Sequence, residues 1–242
     1  MNENYTIVTI CNRIPRESYY CLQEFENSTK DFYKMVIQSV DTPYQGLGDK
    51  PKFVYRAIKR GIIPTKYIIF TDCWDLVFVD TPEEIIEKYK DFNCDLVFSG
   101  ERNCFPADLK EEYDKLPFTS SFKYLNSGFI VGETEALLAT LEAMKVEEIP
   151  DDYWDEEKNH NVHFNDQFEY QKIFIQQPVK MVLDYSQTLS QTMHDVGWGD
   201  IDLTGNKIKN FETGAYPSTI HFNGSGKTNG LQEPILKKLG LR

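Results

Sequence analysis

This sequence is short of positive charge. Its 26 Lys and Arg face 38 Asp and Glu, a formal net charge of −12. Nucleic acid is bound by neutralising phosphates with a basic face, so that partner class is excluded, while a metal site lined by carboxylates fits the balance. No apolar run approaches the length of a membrane span. Met1-Asn2-Glu3-Asn4 has neither the basic nor the apolar region of a signal peptide, so a soluble, cytoplasmic protein is the default expectation. The five cysteines are an odd number without CxxC spacing. That argues for reduced thiols, with a Cys94–Cys104 bridge as the alternative. There is no internal repeat, no low-complexity linker and no GxxxxGK[ST] loop.

What is present reads as globular: 40% of residues are apolar and 14% aromatic. That aromatic content fits a carbohydrate or nucleotide site, although cores also use aromatics. The chain is organised around Lys66-Tyr67-Ile68-Ile69-Phe70-Thr71-Asp72-Cys73-Trp74-Asp75-Leu76-Val77-Phe78. Two apolar runs are separated by two carboxylates, and burying unpaired carboxylates is very costly. The arrangement that avoids the cost puts Asp72 and Asp75 at the C-terminal end of a sheet strand, facing a crevice, where a divalent cation neutralises both. Open α/β sheets bind ligands at that edge. A surface turn with two solvated aspartates is the competing reading.

Taken in order, residues 5–11 are β-branched and apolar and predict a buried parallel strand. Thr9 and Asn12 at its tip are either nucleotide contacts or a plain strand end. A helix is expected over 16–26 and a second strand over 35–37. The loop 46–50 leads into a helix over 51–59, which leaves Lys50 at an anion-binding helix start or simply solvated. Thr81-Pro82-Glu83-Glu84 reads as a capping box opening a helix. Residues 95–99 form the next buried strand, so strand and helix alternate and a parallel sheet with crossover helices is predicted. Further elements are a strand over 124–132 with a polar interruption, a helix over 134–144, an acidic irregular mobile loop over 150–166, a helix over 168–175, a strand over 179–183, a β-like run over 218–222 and a terminal helix near 231–239. The expectation is a single domain over 1–242, nucleotide-binding to about residue 132 and completing the metal and acceptor site beyond it.

His221-Phe222-Asn223-Gly224-Ser225-Gly226-Lys227 is the second informative stretch. Its glycines permit close backbone approach to a phosphate, and Lys227 supplies a point charge. A hairpin with a satisfied histidine is the bland alternative. Two aspartates and one imidazole leave coordination positions for a diphosphate. Oxygen ligands alone suit Mg²⁺, whereas the added imidazole favours Mn²⁺. His160 and His163 are a rival pair in a polar loop, read as solvated. Asp166, after Asn165 and before Gln167, is either an early-turn acid stabilised by the helix dipole or a crevice carboxylate beside a reacting sugar.

These residues together form an ordered series: Gly-x-Gly-Asp-Lys50, Phe70-Thr-Asp72-x-x-Asp75, Val97-Phe-Ser-Gly-Glu101, Cys104-Phe-Pro106, Tyr124-Leu-Asn-Ser-Gly128, Asp166-Gln167, Leu183-Asp184 and His221-x-Asn-Gly-x-x-Lys227. From Thr6 to about Lys227 the chain resembles the glycosyltransferase domain of the procollagen lysyl hydroxylases and related collagen glycosyltransferases. The resemblance implies an α/β, GT-A (Rossmann-like) nucleotide-sugar fold, with a parallel-rich mixed sheet flanked by helices. It implies Mn²⁺-dependent transfer from a UDP-sugar to a glycan or collagen-like acceptor. It assigns Asp72, Asp75 and His221 to the metal. Thr9, Asn12, Lys50, Asp72, Trp74, Asn126, Asn223, Gly224 and Lys227 go to the donor, with Trp74 against the base. Phe105, Gln167 and Asp184 go to the acceptor or sugar, and Asp166 with Asn165 to catalysis.

The chain departs from the family pattern by having Phe105 in place of Trp and Asn165-Asp166 in place of an Asp pair. A carboxamide is no base, so Asn165 is expected to hydrogen-bond the sugar. No accessory or hydroxylase domain and no iron site accompany this stretch. Glucose transfer from UDP-glucose to galactosyl-hydroxylysine with retention is the fullest expectation. A UDP-galactose-dependent hydroxylysine galactosyltransferase and a non-catalytic UDP-sugar or glycan-binding module are the alternatives.

Overall fold

β1 (Tyr5–Ile10) is apolar on both faces and all six of its residues are buried, as a strand covered on both sides must be. The computed structural model describes residues 4–11, 20–37, 47–117, 119–150, 152–155 and 160–242, with side chains described except at 35–37, 152–155 and 160–163. The expected contact Asn12 and the first part of the expected helix 16–26 lie outside the described residues. After β1 come α1 (Leu22–Ser28), β2 (Lys34–Ile37), α2 (Asp49–Lys59), β3 (Tyr67–Thr71), β4 (Leu76–Phe78), α3 (Pro82–Asp91), β5 (Leu96–Glu101), α4 (Lys110–Asp114), β6 (Tyr124–Glu133) and α5 (Thr134–Ala143). β7 (Asp152–Asp155), β8 (His160–His163), α6 (Asp166–Gln176), β9 (Met181–Asp184), β10 (Ser190–Thr192), β11 (Ile201–Asp202), β12 (Lys209–Asn210), β13 (Thr219–His221) and α7 (Gln232–Lys238) follow.

The main sheet runs β2-β1-β3-β6-β5-β9, and the smaller one runs β10-β13-β4. In the main sheet β6 alone is antiparallel to both neighbours, so the sheet is parallel-rich but mixed. Side chains alternate across it. Val8, Ile68, Phe70, Phe98 and Ile130 pack on one face with Val54, Leu137 and Ile173 from α2, α5 and α6. Ile7, Ile69, Val97 and Val131 pack on the other with Phe25, Ile85 and Tyr89 from α1 and α3. Phe98 is fully buried. Truncating it to Ala would cost about 3–5 kcal/mol.

The Asp72–Asp75 stretch is the junction between the two sheets. β3 ends in the first, the chain turns, and β4 re-enters in the second, paired with β13 so that His221 opposes Leu76. One short turn therefore fixes both aspartates beside a strand that delivers the histidine. α3 begins as predicted: the Thr81 hydroxyl accepts from the Glu84 amide, and the Glu84 carboxylate accepts from the Thr81 amide at 2.8 Å.

Two expectations are corrected. Within the acidic stretch near 150–166, β7 and β8 pair as antiparallel strands, with Asp152 opposite His163 and Asp155 opposite His160; their aromatic and β-branched residues suit strands. Within the described part of the helix expected over 16–26, the helix runs from Leu22 to Ser28. The cysteines follow the default reading: all five are free thiols, and Cys94 and Cys104 are not bridged. Among the described residues no helix is long and apolar enough to cross a membrane.

Candidate active site

A cavity of about 480 Å³ opens where the two sheets meet. Asp72 enters it from the end of β3, where its amide donates to the Gly128 carbonyl at 2.9 Å. Asp75 follows within one turn. The His221 Nε2 lies 3.3 Å from the Asp75 Oδ1 and 3.9 Å from the Asp72 Oδ2. One ligand atom from each of the three residues falls within 4.8 Å of the others. Gly128 is what lets the imidazole in. A Cβ there would meet the His221 Cε1 at 2.1 Å, so every other residue would push the ring away.

Gly128 is placed by an irregularity in β6. Pairing with β5 jumps from Phe98↔Ile130 to Ser99↔Asn126, so residues 127–129 bulge, a device that re-aims side chains beside active sites. The bulge puts Asn126, Ser127 and Gly128 on the cavity. Its Asn126 Oδ1 accepts from the Gly128 amide at 2.9 Å.

Two lysines neutralise the carboxylates. Lys50, in the first turn of α2, lies 3.0 Å from Asp72 and 3.0 Å from Asp166. Lys227 pairs with the Asp75 Oδ2 at 2.5 Å. Asp166 begins α6, but its carboxylate faces inward and also accepts from the Ser127 hydroxyl at 3.0 Å. Burial opposes ionisation of Asp75, yet His221 and Lys227 outweigh it and hold the carboxyl below the usual range. Asp72 stays above its usual value: burial, with repulsion from Asp75 and Asp166, exceeds what Lys50 and His221 offset. Four lining carboxylates (Asp72, Asp75, Glu101, Asp166) face two lysines. The deficit, and a donor set of two carboxylates and one imidazole, fit a divalent ion.

The opposite wall is held by amides. Glu101, at the end of β5, accepts from the Gln167 Nε2 at 2.7 Å and the Asn223 Nδ2 at 2.8 Å. Burial pushes its carboxyl up to about 7, against those amides, Asn126 and His221. Gln167 also donates to the Phe105 carbonyl at 2.7 Å, and the Phe105 ring is 59% exposed at the rim. Asn165 caps α6, its Oδ1 accepting from the Phe168 amide at 3.0 Å.

Of the residues singled out in the sequence, Lys50, Asp72, Asp75, Phe105, Asn126, Asn165, Asp166, Gln167, His221, Asn223, Gly224 and Lys227 line this one cavity. Trp74 is half-buried, edge-on to Tyr20 at 5.6 Å, and Tyr20 in turn lies beneath the Lys227 ammonium. Three of the described candidates do not line the cavity, Trp74 among them. Thr9 is fully buried in β1. Asp184 is fully buried as well, its carboxylate accepting from the amides of Thr188, Leu189 and Ser190 and the Ser186 hydroxyl. It holds the turn that leads into β10. Glu101, Asn103, Ser127 and His194 line the cavity and were not among the candidates. Glu101 carried a usable signal, the same one as Asp72: a carboxylate ending an apolar strand.

The family model of the PLOD GT domain matches residues 41–233. A procollagen-lysine,2-oxoglutarate 5-dioxygenase of Drosophila melanogaster is 30% identical over 219 residues, covering 80% of this chain and 28% of that protein. An uncharacterized protein of Acanthamoeba polyphaga mimivirus is 33% identical over 171 residues, 69% of this chain and 33% of that protein. The chain thus spans a third or less of these relatives' length. Among solved structures, a glycosyltransferase involved in the glycosylation of the major capsid of PBCV-1 superposes with a TM-score of 0.52 at 13% identity, covering 96% of this chain and 99% of that one, a likeness of fold. With that fold and the family match over most of its length, the chain belongs to the PLOD GT family of glycosyltransferase domains.

Proposed function

We propose that this domain moves a hexose from a UDP-sugar to an acceptor hydroxyl with Mn²⁺ as its ion, and that the acceptor is a collagen-like protein. The observation that carries the reading is the convergence of Asp72, Asp75 and His221 at the junction of the two sheets, with Lys227 beside them. Those three residues would hold the ion, which when bound supplies Lewis-acid stabilisation of the diphosphate leaving group. Lys227 exchanges its Asp75 partner for the diphosphate as charge develops there. Lys50 keeps Asp72 and Asp166 a single ammonium apart. Asp166 faces the sugar with a fixed orientation, set by Lys50 and Ser127. Trp74 and Tyr20 form the aromatic side that receives the base. Phe105, exposed at the rim, stacks on the acceptor's sugar face.

In its fullest form the reaction is retaining glucose transfer from UDP-glucose to galactosyl-hydroxylysine. The acceptor class is supported by the relatives, whose names concern procollagen lysine. The test is UDP release from a panel of UDP-sugars, with and without Mn²⁺, and with hydroxylysine and galactosyl-hydroxylysine peptides as acceptors. Mn²⁺-dependent release that rises with the galactosylated peptide and UDP-glucose supports the reading. Preference for UDP-galactose and the unglycosylated peptide moves it to the galactosyltransferase. Tight UDP binding without turnover on any donor sinks the enzymatic reading.

A further inference from the structure

His194 lines the cavity and has no assigned role. It stands just beyond β10, beside the short 3₁₀ turn Gly224–Lys227 that carries Lys227. The His194 Nδ1 accepts from the Ser225 amide at 2.9 Å, and the Ser225 hydroxyl lies 3.2 Å from the same nitrogen. An acceptor at Nδ1 places the ring proton on Nε2, which lies 3.5 Å from Asp195. Gly224 adopts a φ of +51°, and a Cβ there would meet the His194 Nδ1 at 2.0 Å. The Asn223 Oδ1 accepts from the backbone amides of Met193 and His194. Ring and turn are thus fitted to each other from both sides: Asn223 fixes the His194 backbone, and the ring holds the Ser225 amide two residues before Lys227.

We infer that His194 is a positioning residue: it pegs the Gly224–Lys227 turn through its Nδ1 and so aims Lys227 at the donor's diphosphate. The turn's own backbone bonds run from the Gly226 amide to the Asn223 carbonyl and from the Thr228 amide to the Ser225 carbonyl, which leaves the Ser225 amide to His194, and a lysine is a flexible point charge that orients only as well as its backbone does. The inference rests on the donor reading of this cavity. It adds which residue sets the diphosphate subsite, and the acceptor atom responsible.

The test uses three variants. His194→Asn puts an amide oxygen near the place of Nδ1, His194→Gln puts one near Nε2, and His194→Ala removes both. Amide hydrogen exchange at Ser225 reads the peg directly and needs no ligand. It should speed up about tenfold or more in His194→Ala and His194→Gln and stay near wild type in His194→Asn. UDP titrated by calorimetry in the presence of Mn²⁺ should bind about tenfold more weakly to His194→Ala and His194→Gln, with His194→Asn restored to within about twofold. The donor KM should move with the affinity, and kcat should move less. Unchanged UDP affinity in His194→Ala, with the wild type binding normally, overturns the inference alone. Rescue by His194→Gln instead of His194→Asn overturns it in favour of a direct contact through Nε2. A wild type that does not bind UDP overturns the reading of the cavity, and the positioning role falls with it.

Discussion

The two walls of the cavity treat buried carboxylates in opposite ways. On one wall Asp75 is buried against Lys227 and His221, and their charge overcomes the burial and keeps it ionised. On the other wall Glu101 is buried too, its hydrogen-bond donors are neutral amides such as those of Gln167 and Asn223, and these together with the charge of His221 fall short of the burial, so its carboxyl rises to about 7. Full positive charges at contact outweigh desolvation, and amide dipoles do not. The first wall holds fixed negative charge, as the proposed cation needs, while the second holds a carboxyl near the point of taking up a proton.

The sharpest way to break the first wall is Asp75→Ala. It removes one of the three proposed cation ligands and the partner of Lys227 together. Donor-dependent UDP release should fall by about 10³-fold or more. The melting temperature should fall too, because Lys227 loses its counter-charge. Retained turnover would move the cation elsewhere. Asp166→Asn is expected to come next. The side chain keeps its shape and its contact with Ser127, but the charge opposite Lys50 is lost. Turnover should fall about 10²-fold or more with Mn²⁺ and UDP still bound. A variant keeping more than about a tenth of wild-type turnover would leave Asp166 as a helix-start acid.

The first wall was largely legible in the sequence, for a physical reason. A carboxylate at the end of an apolar run is conspicuous, because it must face a crevice or be neutralised. That argument found Asp72 and Asp75, and the glycine-rich loop after His221 pointed to Lys227. Asp184, assigned to the sugar by the family resemblance, also ends an apolar strand but is consumed by the donors of its own following turn. Nothing local distinguishes a carboxylate that caps a turn from one that faces a ligand. The second wall was less legible: Glu101 carries the same signal as Asp72, but the expected strand 95–99 stops two residues short of it, whereas the strand runs on to Glu101. The direction of β6 was hidden as well, because a doubly covered strand has the same composition in either orientation. Its bulge depends on register with β5, which only the fold reveals.

Glu101→Gln tests the second wall through pH. Below about pH 4.5 the folded and unfolded chains both carry the Glu101 proton, and its contribution to stability is fully present. Between 4.5 and about 7 the unfolded chain releases the proton and the folded chain keeps it, so stability falls as pH rises, then levels off. The span corresponds to on the order of 3 kcal/mol. Glu101→Gln should remove this component, so the variant gains on the wild type as pH is raised from 5 to 8 in urea denaturation. Parallel curves would show that Glu101 is ionised throughout, like Asp75. A smaller effect is expected of Trp74→Ala, which should raise the donor KM about tenfold with less change in kcat, since base stacking contributes about 1–3 kcal/mol. An unchanged KM would make Trp74 a packing residue only.

The smallest effect separates neighbours. Asn165 and Asp166 both line the cavity, yet Asp166 reaches Lys50 and Ser127 while the Asn165 oxygen is spent on the Phe168 amide. Asn165→Ala removes that helix cap, at a cost of about 1 kcal/mol, or about 3 °C in melting temperature for a chain of this size. Its turnover should stay within about tenfold of wild type, well above that of Asp166→Asn. Asn165→Asp should keep the cap, since aspartate accepts the same bond and suits the positive end of α6. If Asn165→Asp leaves turnover unchanged, one acid at this helix start suffices, and the Asn165-Asp166 pair divides the work between capping and chemistry. If Asn165→Ala loses as much turnover as Asp166→Asn at an unchanged melting temperature, the division is wrong and the Asn165 amide belongs to the sugar site.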